Sequence, residues 1–115
     1  MKASELRIGN YLQDKALDKW FSVTSQLIFD YDRLQLQNHV KPIPLTEEWL
    51  LKFGFNKENK YELNGLKVIL KGRLNYVNGR MYFNSWVISE KQPDYVHQLQ
   101  NLYFALTNEE LTIKQ

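Results

Sequence analysis

The sequence has no cysteine, and only three prolines, five glycines and two histidines occur among its 115 residues. Without cysteine there is neither a disulfide framework nor a thiolate nucleophile, which fits a reducing compartment. No run of about 18 apolar residues is present, so no membrane span is predicted. Residues 1–6 lack the apolar core of a signal peptide, and we therefore expect a cytoplasmic protein.

Motifs that carry catalysis or metal binding are also missing. The sequence has no Gly-x-Ser-x-Gly, no phosphate-binding glycine loop and no His-x-x-x-His pair. His39 and His97 have no partners at the spacing of a metal site. The adjacent Glu47 and Glu48 suit the positive end of a helix dipole better than acid–base chemistry. We expect a protein that is not an enzyme, with no catalytic residue, no metal and no cofactor.

The composition is that of a folded domain. Hydrophobic residues make up 43% of the chain and aromatic residues 14%, which is enough to build a core. The length predicts one small domain covering residues 1–115. No repeat or low-complexity segment divides the chain. The patterns described below predict an α+β fold with antiparallel sheets.

Positive charge is concentrated in the middle of the chain. The net charge is only +2, but residues 52–89 carry seven basic and two acidic groups. Residues 1–51 and 90–115 are close to neutral or slightly acidic. The middle segment is therefore a basic block, which is relevant to nucleic-acid or acidic partners.

Strand patterns dominate the first part of the chain. Leu6 and Ile8 alternate with polar residues, and Gly9 then indicates a bulge or a bend. A stretch rich in aromatic and β-branched residues follows at 20–29, and apolar residues alternate again at 33–37. These three segments, 6–12, 20–29 and 33–37, predict an antiparallel meander of SH3-like type.

A short helix is predicted at 46–53. Thr46 is a suitable N-cap residue, and Glu47 and Glu48 complement the helix dipole. Gly54 and Phe55 suit a Schellman ending, in which glycine adopts a left-handed conformation. A helix of two turns needs packing to be stable.

Two Asn-Gly pairs, at 64–65 and 78–79, predict β-hairpins because this dipeptide favours the type I′ turn. In the second hairpin, a two-residue loop places Tyr76 opposite Met81. The polar residues 56–60 predict a loop before the first hairpin. Further strands are predicted at 86–88 and 111–113.

The longest predicted helix covers residues 94–107. Asp94 is the expected N-cap, and Asn108 tolerates the left-handed conformation that follows many helices. A period of 3.6 residues places one apolar stripe toward the core, consisting of Tyr95, Leu99, Leu102 and Leu106. The opposite face carries His97, Gln100, Asn101 and Phe104. Phe104 there is covered either by this protein or by a partner.

Two candidate surfaces for a protein or nucleic-acid partner follow. The first lies in the basic block and consists of Lys67, Lys71, Arg73, Tyr76, Arg80 and Tyr82. Basic groups interleaved with aromatic rings on a sheet are one way to bind single strands, although solvated lysines at sheet edges give the same pattern. The second is the outer face of the long helix, with His97, Gln100, Asn101 and Phe104.

Three motifs together carry a resemblance to a known family: ELRIGNY at 5–11, PIPLTEEWLLKFGF at 42–55 and YVHQLQNLYFALT at 95–107. They resemble a family of short proteins encoded by bacteria, their phages and other mobile elements. Members often have glycine after the Leu-Thr pair, where this chain has Asn108. The resemblance implies no activity. It implies a genomic setting in which small proteins often bind and block host factors.

These observations favour a non-enzymatic binding protein that blocks a host protein or ribonucleoprotein, with a nucleic-acid-guided defence complex of CRISPR type as the candidate target. The alternative is a protein that binds single-stranded nucleic acid directly through the basic block. A third option is a protein that sequesters a nucleotide or another small molecule in a half-open, aromatic-rich barrel. No membrane partner is expected.

Overall fold

A computed structural model of the chain describes residues 1–58, 68–71, 74–77, 80–83, 86–89 and 93–113. The chain divides into two compact units. Unit 1 consists of residues Met1–Leu45 and Asp94–Thr112, and unit 2 consists of Thr46–Pro93 and Ile113–Gln115. Each unit combines helix with antiparallel sheet, so the expected α+β class is confirmed. The expectation of a single domain stays a prediction.

The described part of unit 1 contains a three-stranded antiparallel sheet and two α-helices. The strands lie in the order β2-β1-β3, and Leu12 of β1 pairs with Phe21 on one side and Pro42 on the other. Short 3₁₀ turns occur at Ala3–Glu5 and Leu36–Asn38. The elements are β1 (Tyr11–Asp14), β2 (Trp20–Ser22), α1 (Ser25–Arg33), β3 (Val40–Pro42) and α3 (Val96–Thr107).

One face of this sheet forms a core with α1. The buried side chains of this core are Leu6, Leu12, Val23, Tyr31 and Val40. Leu27 and Ile28 of α1 pack against them. Tyr31 lies four positions after Leu27 and three positions after Ile28, so the three side chains share one face of the helix. Apolar burial by this face stabilises a helix of nine residues that is too short to be stable alone.

The predicted meander is wrong in several respects. Its first strand, expected at 6–12, is β1 at Tyr11–Asp14. The strand expected at 20–29 ends at Ser22, because Thr24 caps α1 and its side chain accepts a hydrogen bond from Leu27 N–H at 3.2 Å. The strand expected at 33–37 is replaced by the end of α1 and a 3₁₀ turn. The third strand is β3, in the proline-containing segment. It pairs with β1 rather than β2, so the order is not that of a meander.

The described strands of unit 2 form an antiparallel sheet in which each strand pairs with the next along the chain. The second predicted hairpin has the expected register, with Tyr76 opposite Met81. The turn of the first hairpin, at 64–65, lies outside the described residues. The loop predicted at 56–60 is wrong at its start, where β4 pairs with β5. The strands are β4 (Asn56–Glu58), β5 (Val68–Lys71), β6 (Leu74–Val77), β7 (Arg80–Phe83) and β8 (Trp86–Ser89).

The short helix α2, Glu47–Lys52, has the predicted boundaries at both ends. The Thr46 hydroxyl accepts a hydrogen bond from Trp49 N–H at 3.4 Å. Gly54 has a φ of +88°. Its N–H donates to the Leu51 carbonyl at 3.0 Å, and Phe55 N–H donates to the Leu50 carbonyl at 3.1 Å. These two bonds define a Schellman motif, as expected from the sequence.

The long helix α3 ends where the sequence predicts but begins later. Asn108 has a φ of +61°, and its N–H donates to the Phe104 carbonyl at 2.7 Å. The N-cap is Tyr95 rather than Asp94, because residues 94–96 pair with residues 43–45. Leu45 N–H donates to the Asp94 carbonyl at 3.0 Å, and Val96 N–H donates to the Ile43 carbonyl at 2.8 Å. Extended pairing at this point delays the helix by a residue.

The segment 111–113 is not a strand, so this prediction is wrong. The Leu111 carbonyl instead accepts a hydrogen bond from a side chain of α3, that of Gln100, and the Leu111 side chain is buried. Among the described helices, none combines the length and apolar character needed to cross a membrane.

Candidate functional site

Of the residues of the basic-block surface, Lys71, Tyr76, Arg80 and Tyr82 lie on described strands, and their role as one surface stays a prediction. Lys67 and Arg73 lie outside the described residues. Lys71 is half-buried, and its ammonium group donates to the Phe53 carbonyl at 2.7 Å within unit 2. This lysine therefore has a structural contact that holds β5 against the end of α2.

The remaining residues of this surface lie on the adjacent strands β6 and β7. Tyr76 pairs with Met81 and lies two positions from Leu74, and the side chains of Met81 and Leu74 are buried. Arg80 and Tyr82 occupy the alternate positions of β7. A common surface of Tyr76, Arg80 and Tyr82 therefore stays a prediction.

The second predicted surface is largely core, and this part of the prediction is wrong. The side chains of His97 and Gln100 are 1% and 0% exposed. Asn101 and Phe104 are half-buried. The apolar stripe is rotated relative to the prediction, since Val96, Leu99 and Tyr103 are the buried apolar residues of α3, whereas Leu102 and Leu106 are half-buried.

Gln100 is buried because its amide group satisfies three backbone groups. Its Oε1 accepts from Tyr11 N–H at 2.8 Å, and its Nε2 donates to the carbonyls of Gly9 and Leu111, each at 3.0 Å. A buried amide that makes all these hydrogen bonds stabilises the fold, whereas a buried amide without partners would destabilise it. The side chain therefore joins α3 to the start of β1 and to the segment after α3.

Asn101 continues this network on the same side of α3. Its Nδ2 donates to the Glu5 carbonyl at 2.7 Å, and its Oδ1 accepts from Asn10 Nδ2 at 3.0 Å. The Arg7 guanidinium lies over the Phe104 ring, 3.8 Å from its centroid, and also forms an ion pair with Glu110. Phe104 is thus covered in part by this protein itself. The motifs ELRIGNY and YVHQLQNLYFALT are in contact.

His97 is the exception in this region, because neither ring nitrogen has a hydrogen-bond partner. Its ring stacks on Tyr95, with centroids 6.0 Å apart and planes at 14°. Burial lowers the pKa of His97, and the nearby Glu5 carboxylate acts in the opposite direction. Within the described residues no group of three or more His, Cys, Asp or Glu side chains is placed to hold a metal ion.

The hairpin of β1 and β2 carries a surface that the sequence patterns did not predict. We call it the Trp20 hairpin surface; it consists of Tyr11 and Trp20 on the strands and Leu17 in the turn. Trp20 is 48% exposed and Leu17, in the turn, is 68% exposed. The rings of Tyr11 and Trp20 meet edge to face, with centroids 5.3 Å apart. Alternation along β2 is the signal that identifies this surface, since it separates Trp20 from the core-facing Phe21.

The turn that carries Leu17 has a defined conformation. The Asp14 carboxylate accepts hydrogen bonds from the backbone N–H groups of Ala16 and Leu17, at 2.8 and 2.9 Å. The Asp18 carboxylate bonds to the Gln13 amide and lies 3.6 Å from the Lys41 ammonium. Apolar groups at the tip are therefore presented on a constrained loop rather than on a flexible one.

Other large apolar side chains are also exposed. They are Met1, Ile8, Phe29, Leu34 and Leu51. Phe29 is 70% exposed on α1, with the Arg33 guanidinium 5.6 Å from its ring centroid. An open depression of about 480 Å³ is lined by Met1, Lys2, Ala3, Ser4, Tyr31, Asp32 and Gln37. Scattered apolar residues of this kind are common on folded proteins.

No protein-family model, curated protein or solved structure gives a match to this chain. The resemblance of the three motifs to proteins of bacteria, phages and mobile elements therefore stays a prediction. The function has to be argued from the residues and their geometry.

Proposed function

We propose that this chain is a non-enzymatic binding protein of phage or mobile-element type that binds and blocks a host protein. The candidate target is a nucleic-acid-guided defence complex of CRISPR type, which follows from the genomic setting that the three motifs imply. The observation that carries the binding role is the Trp20 hairpin surface. Tryptophan and tyrosine are enriched among the residues that supply most of the binding energy at protein interfaces.

The geometry of this surface supports a binding role in a second way. Trp20 is anchored by β2 pairing with β1 and by its edge-to-face contact with Tyr11. An aromatic group that is already ordered loses little conformational entropy when a partner covers it. The remaining exposed area of Trp20 and Leu17 is then available for burial.

The experiment starts with the tagged chain, purified from its host after nuclease treatment, and with mass spectrometry of what co-elutes. The affinity of the identified protein is then measured for the wild type and for Trp20→Ala. We expect Trp20→Ala to weaken binding at least about tenfold, as for a central interface residue. Its Tm should stay close to that of the wild type because half of the ring is already exposed.

Phe29→Ala is the matched control, because Phe29 is another exposed aromatic residue of unit 1 but lies on α1. It should leave the affinity within about twofold. Equal affinities of the wild type, Trp20→Ala and Phe29→Ala would contradict the role of the Trp20 hairpin surface.

Direct binding of single-stranded nucleic acid is the second candidate function. It is favoured by the positions of Arg80 and Tyr82, two residues apart on β7, within a segment of net charge +5. In this case Arg80→Glu should weaken binding of a fluorescent single-stranded oligonucleotide and reduce its salt dependence, because fewer counterions are released. Lys2→Glu, an exposed change in unit 1, is the control for net charge. Unchanged oligonucleotide binding by Arg80→Glu would exclude this surface.

A further inference from the structure

His97 is a buried polar residue whose ring lacks hydrogen-bond partners, and the proposed binding role does not involve it. Buried polar side chains in proteins almost always have hydrogen-bond partners. His97 is 1% exposed, and both of its ring nitrogens lack such a partner. In the same helix Gln100 makes three hydrogen bonds, so this absence is specific to His97.

The position of His97 makes it unsuited to carrying a charge. It is the second residue of α3, where the helix dipole places partial positive charge. The N-terminal amine also disfavours the protonated ring, and the Glu5 carboxylate is the acidic group that opposes these effects. Tyr95, which stacks on the ring, supplies no charge to balance an imidazolium at neutral pH.

His97 is also next to the hydrogen bonds that hold the start of α3. Val96 N–H donates to the Ile43 carbonyl at 2.8 Å, and Leu45 N–H donates to the Asp94 carbonyl at 3.0 Å. Moving the His97 ring toward water would require the first turn of α3 to shift. These two hydrogen bonds join the start of α3 to residues 43–45, and such a shift would break them.

We propose that His97 is an acid-sensitive latch, and that its protonation releases the pairing of residues 43–45 with residues 94–96. This regulatory property goes beyond the proposed binding function and does not depend on it. The direction of the pH effect follows from the linkage between proton binding and stability. The unfolded or opened state binds the proton more readily, so the stability of the closed state is present above about pH 6.5 and falls as the pH is lowered from there.

The test is hydrogen exchange of backbone amides in the full chain, measured as protection factors at about pH 7.5 and about pH 5.5. We expect the protection of the Val96 and Leu45 amides to fall at least about tenfold more than that of the Val23 amide. The Val23 amide is the internal reference, because it donates to the Asn10 carbonyl at 2.7 Å, away from His97 in sequence.

Two substitutions separate His97 from other acid effects. His97→Phe keeps an aromatic ring at the position but cannot take up a proton, so the extra loss of protection at Val96 and Leu45 should disappear. His39→Gln removes the other histidine and should keep the loss, because His97 is still present. The same loss in His97→Phe as in the wild type would overturn the proposal.

A measurement on the wild type avoids dependence on the folding of a variant. Proton NMR of the two imidazole groups follows the titration of His97 in the intact chain. We expect a midpoint below the value of about 6.5 found in reference peptides. A midpoint at or above that value would show that the folded chain accepts the proton without difficulty, and it would also overturn the proposal.

Discussion

Gln100 and Asn101, two adjacent amides, explain how α3 is attached to the first residues of the chain. Gln100 bonds to the backbone of Gly9, Tyr11 and Leu111, and Asn101 bonds to the backbone of Glu5. Backbone groups at irregular turns have no strand or helix partner, so side chains must satisfy them when they are buried. These two residues supply that function.

We predict that Gln100→Leu destabilises the protein by about 3 kcal/mol, because the substitution leaves several buried backbone groups without a partner. The free energy of unfolding from urea titrations is the measurement. Gln26→Ala is the control, since Gln26 is exposed and its amide donates to the Asp30 carboxylate at 2.8 Å on the surface of α1. Its effect should stay within about 0.5 kcal/mol. Equal losses for both variants would contradict a structural role for Gln100.

The position of Gln100 could not be predicted from the helix pattern. A period of 3.6 residues assigns polar residues to the solvent-facing side of a helix, and it therefore assigns Gln100 and His97 to that side. Two of the three partners of Gln100, Gly9 and Tyr11, lie about 90 residues earlier in the chain, and the third, Leu111, lies outside the helix. No local helix pattern therefore signals that this glutamine is needed inside.

At the level of elements, α1 and α2 show when local sequence determines structure. For α2, the N-cap Thr46, the acidic first turn and Gly54 all indicate the same helix, and the structure confirms it. For α1, the aromatic and β-branched residues at 20–29 favour a strand. The cap at Thr24 and the packing of Leu27 and Tyr31 override that preference.

We predict that Thr24→Ala lowers the free energy of unfolding by about 1 kcal/mol, because Leu27 N–H loses its hydrogen-bond acceptor at the start of α1. Thr24→Asp is the matched variant, since aspartate also caps helices and its charge complements the dipole. It should retain wild-type stability or exceed it. Thermal unfolding followed by circular dichroism distinguishes these outcomes, and equal losses in both variants would contradict a capping role.

At the level of the whole molecule, the first and last parts of unit 1 meet. Leu111, after α3, is 1% exposed, and its carbonyl is bonded to Gln100. Glu110 forms an ion pair with Arg7. In the sheet of unit 1, β3 pairs with β1 and not with β2, which precedes it in the chain. The α+β class could therefore be predicted from composition and patterns, but the pairing of β1 with β3 could not.

We predict that Leu111→Ala destabilises the protein by about 2–4 kcal/mol, because it leaves a cavity where a buried side chain was packed. Thr112→Ala changes the next residue, which is exposed, and should have an effect within about 0.5 kcal/mol. Guanidinium unfolding of both variants provides the comparison. A small effect of Leu111→Ala would mean that the segment after α3 contributes little to the fold.

The pairing of residues 43–45 with residues 94–96 has a consequence for how this chain can change. The chain leaves unit 1 after Leu45 and returns to it at Asp94, and hydrogen bonds join these two points. Residues 46–93 are therefore a segment whose two ends are held together within unit 1. The entropy of closing a loop grows only with the logarithm of its length, and doubling the length costs about 0.6 kcal/mol. Insertions and deletions between these points therefore cost unit 1 little in chain entropy, and their cost falls on the helix and sheet of unit 2.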